Sequence, residues 1–265
     1  MEIEDLIKEY QLLDLSKSIH FDKFNLYSIT HHSTSLEGST LTEIETNLLL
    51  DEGLTPKGKP LEHSLMTTDH AQALLYIIDE AKQKKEISNS FIQKINSNVM
   101  AKTGKVYNTV FGEVDGTTGA FRKGNVMAGN RYFPNYDKVE LLTTKLSNEI
   151  NSKLKTATSV ADQLQLAFDA HFDLVSIHPF YDGNGRTSRL LMNYIMSFFQ
   201  LPLAIVFKED KADYIEALEK TRTTEDLTPF RKFMLNQYSK FLTREILNFK
   251  SIDKNDKGKG FSMIF

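Results

Sequence analysis

His178-Pro179-Phe180-Tyr181-Asp182-Gly183-Asn184-Gly185-Arg186-Thr187-Ser188-Arg189, HPFYDGNGRTSR, separates two segments of strongly helical pattern. Pro179 disfavours helical geometry at His178, so the preceding helix is expected to stop at or just before the histidine. Asp182 to Gly185 tolerate unusual backbone angles and can turn successive N–H groups inward as an anion-binding nest. The following helix is expected to begin near Gly185 or Arg186, aiming its positive end at the same spot. Arg186 and Arg189, three residues apart, fall near one face and suit the oxygens of a polyphosphate. Asp182 would be repelled by such a ligand alone, and Mg²⁺ resolves the conflict, since it is commonly held by one or two carboxylates plus substrate phosphates. His178 fits a general base acting on a hydroxyl nucleophile. Taken singly, each residue also has an ordinary structural reading as turn, cap or solvated charge.

Outward from this stretch the pattern is helical. Leu164, Ala167, Phe168, His171, Phe172 and Val175 form one face over 160–177, and 188–199 is apolar almost all round, as a helix buried mid-domain would be. Further helices are expected over 3–15, 23–36 (ending at Glu37-Gly38), from Thr40 or Thr42 onward, 64–84, 87–100, 136–153, 211–222 and 228–248. Six glycines between Thr103 and Pro134 predict turns and a short hairpin. The fold class is therefore all-α with a small β element. Residues 1–60 are expected to form N-terminal helices, 61–250 the core, and 251–265 a charged, mobile tail.

Composition narrows the function. With 40% hydrophobic and 25% charged residues the chain can build a sizeable core. A net charge of −3 supplies no cationic field for nucleic acid or anionic lipid, so phosphate binding has to be local. The absence of cysteine excludes disulfides and thiolate metal sites. No window approaches the ~18 apolar residues of a membrane span, and the acidic start lacks a signal-peptide pattern; a soluble, cytoplasmic protein is expected. No GxxxxGK is present, and Ser188 stands where a dinucleotide fingerprint needs its third glycine. His20, His31, His32 and His171 have no acidic partner at ligand spacing and read as core or surface histidines.

The stretch resembles the Fic-domain signature, H-x-F-x-[DE]-G-N-G-R-x-x-R, at every fixed position, and the resemblance runs from about residue 30 to 245. Gly119-Ala120-Phe121-Arg122 resembles the family's flap hairpin, here placed over Gly119 to Val126. Ser33 to Gly38 resembles the inhibitory motif [ST]-x-x-x-E-[GN] of the class whose inhibitory helix precedes the core. The resemblance implies transfer of AMP from ATP to a Ser, Thr or Tyr hydroxyl of an unidentified protein target. On that reading His178 is the base, Asp182 holds Mg²⁺ and Phe180 anchors the loop. Gly183, Asn184 and Gly185 form the anion hole, and Arg186 and Arg189 bind the phosphates of the leaving pyrophosphate. Tyr214 and Leu218 border the adenine. Gly119, Phe121 and Arg122 belong to a flap on which the target docks as an added strand. Glu37, flanked by Ser33 and Gly38, pairs with Arg189 at the γ-phosphate position and inhibits. Arg222 departs from the small polar residue expected near the nucleotide. The same residues would serve the reverse reaction, with Glu37 orienting water, and a non-catalytic nucleotide-sensing module is the alternative from another class. Many relatives form dimers, which leaves a homodimer open.

Overall fold

A computed structural model describes residues 2–13, 21–129 and 131–256, with side chains placed for all of these except 21–24 and 251–256. In chain order the helices begin with α1 (Ile3–Leu12), α2 (Phe21–Leu36) and α3 (Glu43–Glu52), followed by α4 (Leu61–Lys82) and α5 (Asn89–Val99). Two antiparallel pairs come next, β1 (Val106–Thr109) with β2 (Gly112–Asp115), then β3 (Met127–Ala128) with β4 (Arg131–Tyr132). The chain closes with α6 (Val139–Leu154), α7 (Val160–Ile177), α8 (Asn184–Phe198), α9 (Lys211–Thr224) and α10 (Thr228–Asp256).

Leu190, Leu191, Met192, Tyr194, Ile195 and Met196 are all fully buried, so α8 has no solvent face and the other helices wrap it. Its main partners are α7 and α4, with α5 alongside; α10 packs against α9, α7 and α1, and α2 lies across α4 and α3. The expected all-α fold with a small β element is what the chain adopts. Local chemistry fixes several ends. Thr42 caps α3 in a reciprocal box with Glu45 (3.2 and 2.7 Å). Ser88 accepts from Phe91 N–H at α5, and Ser159 from Asp162 N–H at α7.

Three expectations are corrected. Helix α8 starts at Asn184, ahead of Gly185, because Gly183 takes the left-handed turn (φ 76°) that opens it. Helix α10 runs to Asp256, into the expected tail; residues 257–265 lie outside the described residues. The hairpin expected over Gly119 to Val126 is absent: that segment has no ladder, and paired strands flank it on either side. The cause is packing on α5, where Gly119 (φ 70°) presses so close to the Gln93 carbonyl that a Cβ would not fit. Among the described residues no helix is long and apolar enough to cross a membrane.

Candidate functional site

Helix α7 stops where His178 swings into the left-handed region (φ 53°, ψ 60°), its N–H still bonded to Leu174 O at 3.0 Å. This is sparsely populated for a non-glycine residue and needs support. Arg122 supplies it: Nε donates to the His178 carbonyl (2.8 Å) and its backbone N–H to the Pro179 carbonyl (2.9 Å). The rest of the guanidinium goes to the carbonyls of Gly124 (2.8 Å) and Pro134. At 2% exposure Arg122 is a brace between loop and hairpin segment, and its side chain offers no surface for docking. Phe121 also faces inward, its ring 5.6 Å from that of Phe180. Asn184 closes the turn, accepting from Phe180 N–H (3.0 Å) and donating to Phe180 O (2.9 Å). Its side chain is thus committed to the loop, which leaves its backbone N–H for any ligand.

The N–H groups of Asn184, Gly185 and Arg186 precede the first intrahelical bond of α8, from Thr187 N–H to Gly183 O (2.9 Å). An anion already sits near them. A Cβ on Gly185 would collide with Glu37 Oε1, and the same oxygen accepts from Arg189 Nη2 at 2.6 Å. Arg189 is 4% exposed and also donates Nε to Ser33 Oγ (2.9 Å) and Nη2 to Ser33 O (3.0 Å). Gly38 (φ 102°) ends α2 with paired bonds, Ser39 N–H to Thr34 O and Gly38 N–H to Ser35 O, both 3.1 Å. The last turn of α2 contains no basic residue, and Lys211 of α9 covers it instead, donating to Leu36 O at 2.6 Å. Burial pushes the Glu37 carboxyl upward, but Arg189, Arg186 and Lys211 outweigh it and hold the group below its ordinary range.

The two arginines diverge. Arg189 turns to α2, whereas Arg186 turns to the end of α5, with Nη1 at Val99 O (3.4 Å), Nη2 at Met100 Sδ (3.2 Å) and Asp182 Oδ1 3.6 Å away. Asp182 is about half exposed, and no group of three or more His, Asp or Glu forms a metal cluster among the described residues. Tyr214 and Leu218 are both buried; the Tyr214 hydroxyl is 2.9 Å from His171 Nε2. Burial pushes His178 down to about 4, with Arg122, Arg131 and Arg222 adding to the effect and the Val175 carbonyl opposing it. The imidazole is therefore neutral at pH 7.

Sequence reasoning missed four contributors. Phe133 stacks on the His178 ring at 3.8 Å and 20°. Asn96 donates to Asp182 O and Thr187 Oγ1, both at 3.1 Å, tying α5 to the loop. Lys211 caps α2 as described. Glu219 joins Arg131 (3.3 Å) to Arg222 (2.8 Å), which accounts for the unexpected arginine at 222. Only Lys211, basic at the start of a predicted helix where acid is favoured, carried a signal in its own position.

Residues 86–196 match the model of the Fic/DOC family. The chain is 32% identical over 213 residues to a protein adenylyltransferase Fic of Drosophila erecta, and 31% identical to that of Drosophila melanogaster. Each match takes in 80% of this chain and 40% of the relative, so the chain spans well under half the length of these curated relatives. A crystal structure of a Fic-domain-containing signaling protein from Bacteroides thetaiotaomicron superposes with a TM-score of 0.79 at 25% identity, covering 94% of this chain and 98% of that one.

Proposed function

This chain belongs to the Fic/DOC family, and on that premise we propose that it transfers AMP from ATP to a side-chain hydroxyl of a target protein and is held inactive by Glu37. The observation that carries the reading is the seat of the Glu37 carboxylate. An acidic oxygen against Gly185 and Arg189, beside the N–H groups that precede the first intrahelical bond of α8, supports polyphosphate binding there.

In the active state His178, neutral at pH 7, takes the proton of the target hydroxyl as its oxygen attacks the α-phosphorus. The new P–O bond forms as the bond to pyrophosphate breaks, and pyrophosphate leaves with both electrons. Arg189 and the amides at the start of α8 take the leaving group's negative charge. Asp182, a single half-exposed carboxylate beside this seat, fits a cation held mainly by nucleotide phosphates. A magnesium ion held there would neutralise phosphate charge. With Glu37 in place Arg189 is occupied, and ATP cannot settle in the reactive pose. The edge of the β3–β4 pair, adjoining Phe133 and hence His178, is the surface on which a target segment would lie as an added strand, in place of the Gly119 to Val126 segment.

The test is auto-adenylylation with α-labelled ATP. Glu37→Gly is expected to raise labelling at least ~10-fold, and His178→Ala in that background to lower it by about 10² to 10⁴-fold. Equal labelling by wild type and Glu37→Gly, or full labelling without His178, would sink the reading.

A further inference from the structure

A histidine base is ordinarily oriented by a hydrogen bond from its second ring nitrogen to a carboxylate or carbonyl. His178 has no carboxylate acting on it and no regular hydrogen bond at its buried Nδ1; the acceptor that acts on the ring is the Val175 carbonyl, too poorly aligned to count as a full bond. The groups acting on the ring are three cations, Arg122 from the braced segment, Arg131 from β4 and Arg222 from α9, together with the Val175 carbonyl from α7. No carboxylate is among them. What does meet the ring is Phe133, nearly parallel to it with centroids 3.8 Å apart, at the van der Waals limit for stacked planes.

We propose that Phe133, backed by Arg131, is a positioning residue for His178, fixing the plane of the imidazole and shielding it from water in a site that provides no carboxylate for the purpose. The inference rests on the reading of His178 as the base. Phe133 is itself held. Its N–H bonds to Val126 O at 3.4 Å, closing the β3–β4 pair, and the Arg131 guanidinium carbon lies 4.5 Å over its ring. Arg131 in turn is tied to Glu219, which also holds Arg222. The stack thus runs from α9 through β4 to the base, so the hairpin on which a target would dock also sets the group that activates the target's hydroxyl.

The chemistry is consistent at both ends of the proton transfer. Before it, the dry face next to Phe133 and the nearby cations keep the imidazole unprotonated and ready. After it, the phenyl π-face meets the imidazolium and offsets part of the cost of charging a buried ring. Without the phenyl ring, water reaches the imidazole and its plane is free to turn. Protonation then becomes easier while productive orientation becomes rarer. Phe133 stacks on His178 and bonds to Val126, so the proposal expects nucleotide affinity at the start of α8 to be independent of it.

The experiment uses the full chain with Glu37→Gly and adds Phe133→Ala, Phe133→Leu or Phe133→Tyr. The His178 ring proton is followed by NMR from pH 7.5 to 3, identified by its loss in His178→Ala, and transfer is measured at pH 6 and pH 8. For Ala and Leu the His178 midpoint is expected to rise by at least about one pH unit toward 6.5. Their kcat should fall about tenfold at pH 8 and further at pH 6, with KM for ATP within about twofold of the parent. Phe133→Tyr, which retains a stacking ring, is expected to restore both properties. Leu keeps apolar volume without a planar ring and decides the matter if Ala unfolds the hairpin. An unchanged midpoint and kcat in Leu, or a loss expressed in KM that Tyr does not rescue, overturns the proposal. Full activity of His178→Ala would instead remove the base reading, a result separate from the NMR midpoint, which reports the stack alone.

Discussion

Two helix ends meet at Arg189, and they are secured in opposite ways. The N-terminal end of α8 is closed by residues of its own stretch: Gly183 turns the chain, and Asn184 bonds both backbone groups of Phe180. The C-terminal end of α2 is also closed locally by Gly38, yet it carries Glu37 where a helix dipole disfavours negative charge. That charge is balanced from elsewhere, by Arg189 on α8 and Lys211 on α9. One end is part of the frame. The other is held by remote partners, and on the proposed reading it is a latch that can be released without dismantling what it covers.

Acid should loosen the α2 end most strongly, because α2 carries two buried histidines. Burial pushes His31 down to about 4 and His32 down to about 3, with Lys208 and its neighbours adding to it. Both therefore stay neutral in the folded chain while the unfolded chain takes up protons below about 6.5. The unfolded state then binds more protons, so stability falls as pH drops from about 6.5 toward 4, by about 1.4 kcal/mol per pH unit for each histidine. Urea unfolding at pH 7 and pH 5 checks this; equal stabilities would contradict the burial of this pair. A His31→Asn, His32→Asn double variant should make the slope shallower, leaving the part carried by His70, His171 and His178, which burial also pushes down.

Substitution at the frame comes next. Asn184→Ala strips two buried hydrogen bonds from Phe180 and is expected to cost about 2–4 kcal/mol and to lower transfer activity. Ser33→Ala removes one acceptor from Arg189, which keeps the Ser33 carbonyl and Glu37, and should cost only about 1 kcal/mol. Its activity should move the other way, rising several-fold in the otherwise wild-type chain as the latch loosens. Calorimetric melting with labelled-ATP assays checks both, and a fall in activity for both variants would erase the distinction between frame and latch.

Much of the frame was legible in HPFYDGNGRTSR because its interactions are local. Pro179 stops a helix, Gly183 starts one, and an all-apolar run from Leu190 has to be buried. The seat of Glu37 was readable only through a family resemblance, since nothing within Ser33 to Gly38 names a partner more than 150 residues away. The Phe133 stack left no trace: an aromatic residue after a short strand is common, and its meaning depends on a hairpin two residues long. The hairpin was misplaced for a related reason. Gly119 and Arg122 look like hairpin residues in sequence, yet tertiary packing on α5 and four carbonyl acceptors make them a brace.

On the proposed reading Glu37 and the outer phosphates of ATP compete for Arg189 and the start of α8. Isothermal calorimetry of wild type and Glu37→Gly against ATP and against AMP tests it most directly. Removing the latch should tighten ATP at least about tenfold, or about 1.4 kcal/mol, and leave AMP within about twofold, because AMP lacks the phosphates that would take the vacated seat. Equal tightening of both ligands, or of neither, would contradict the claim.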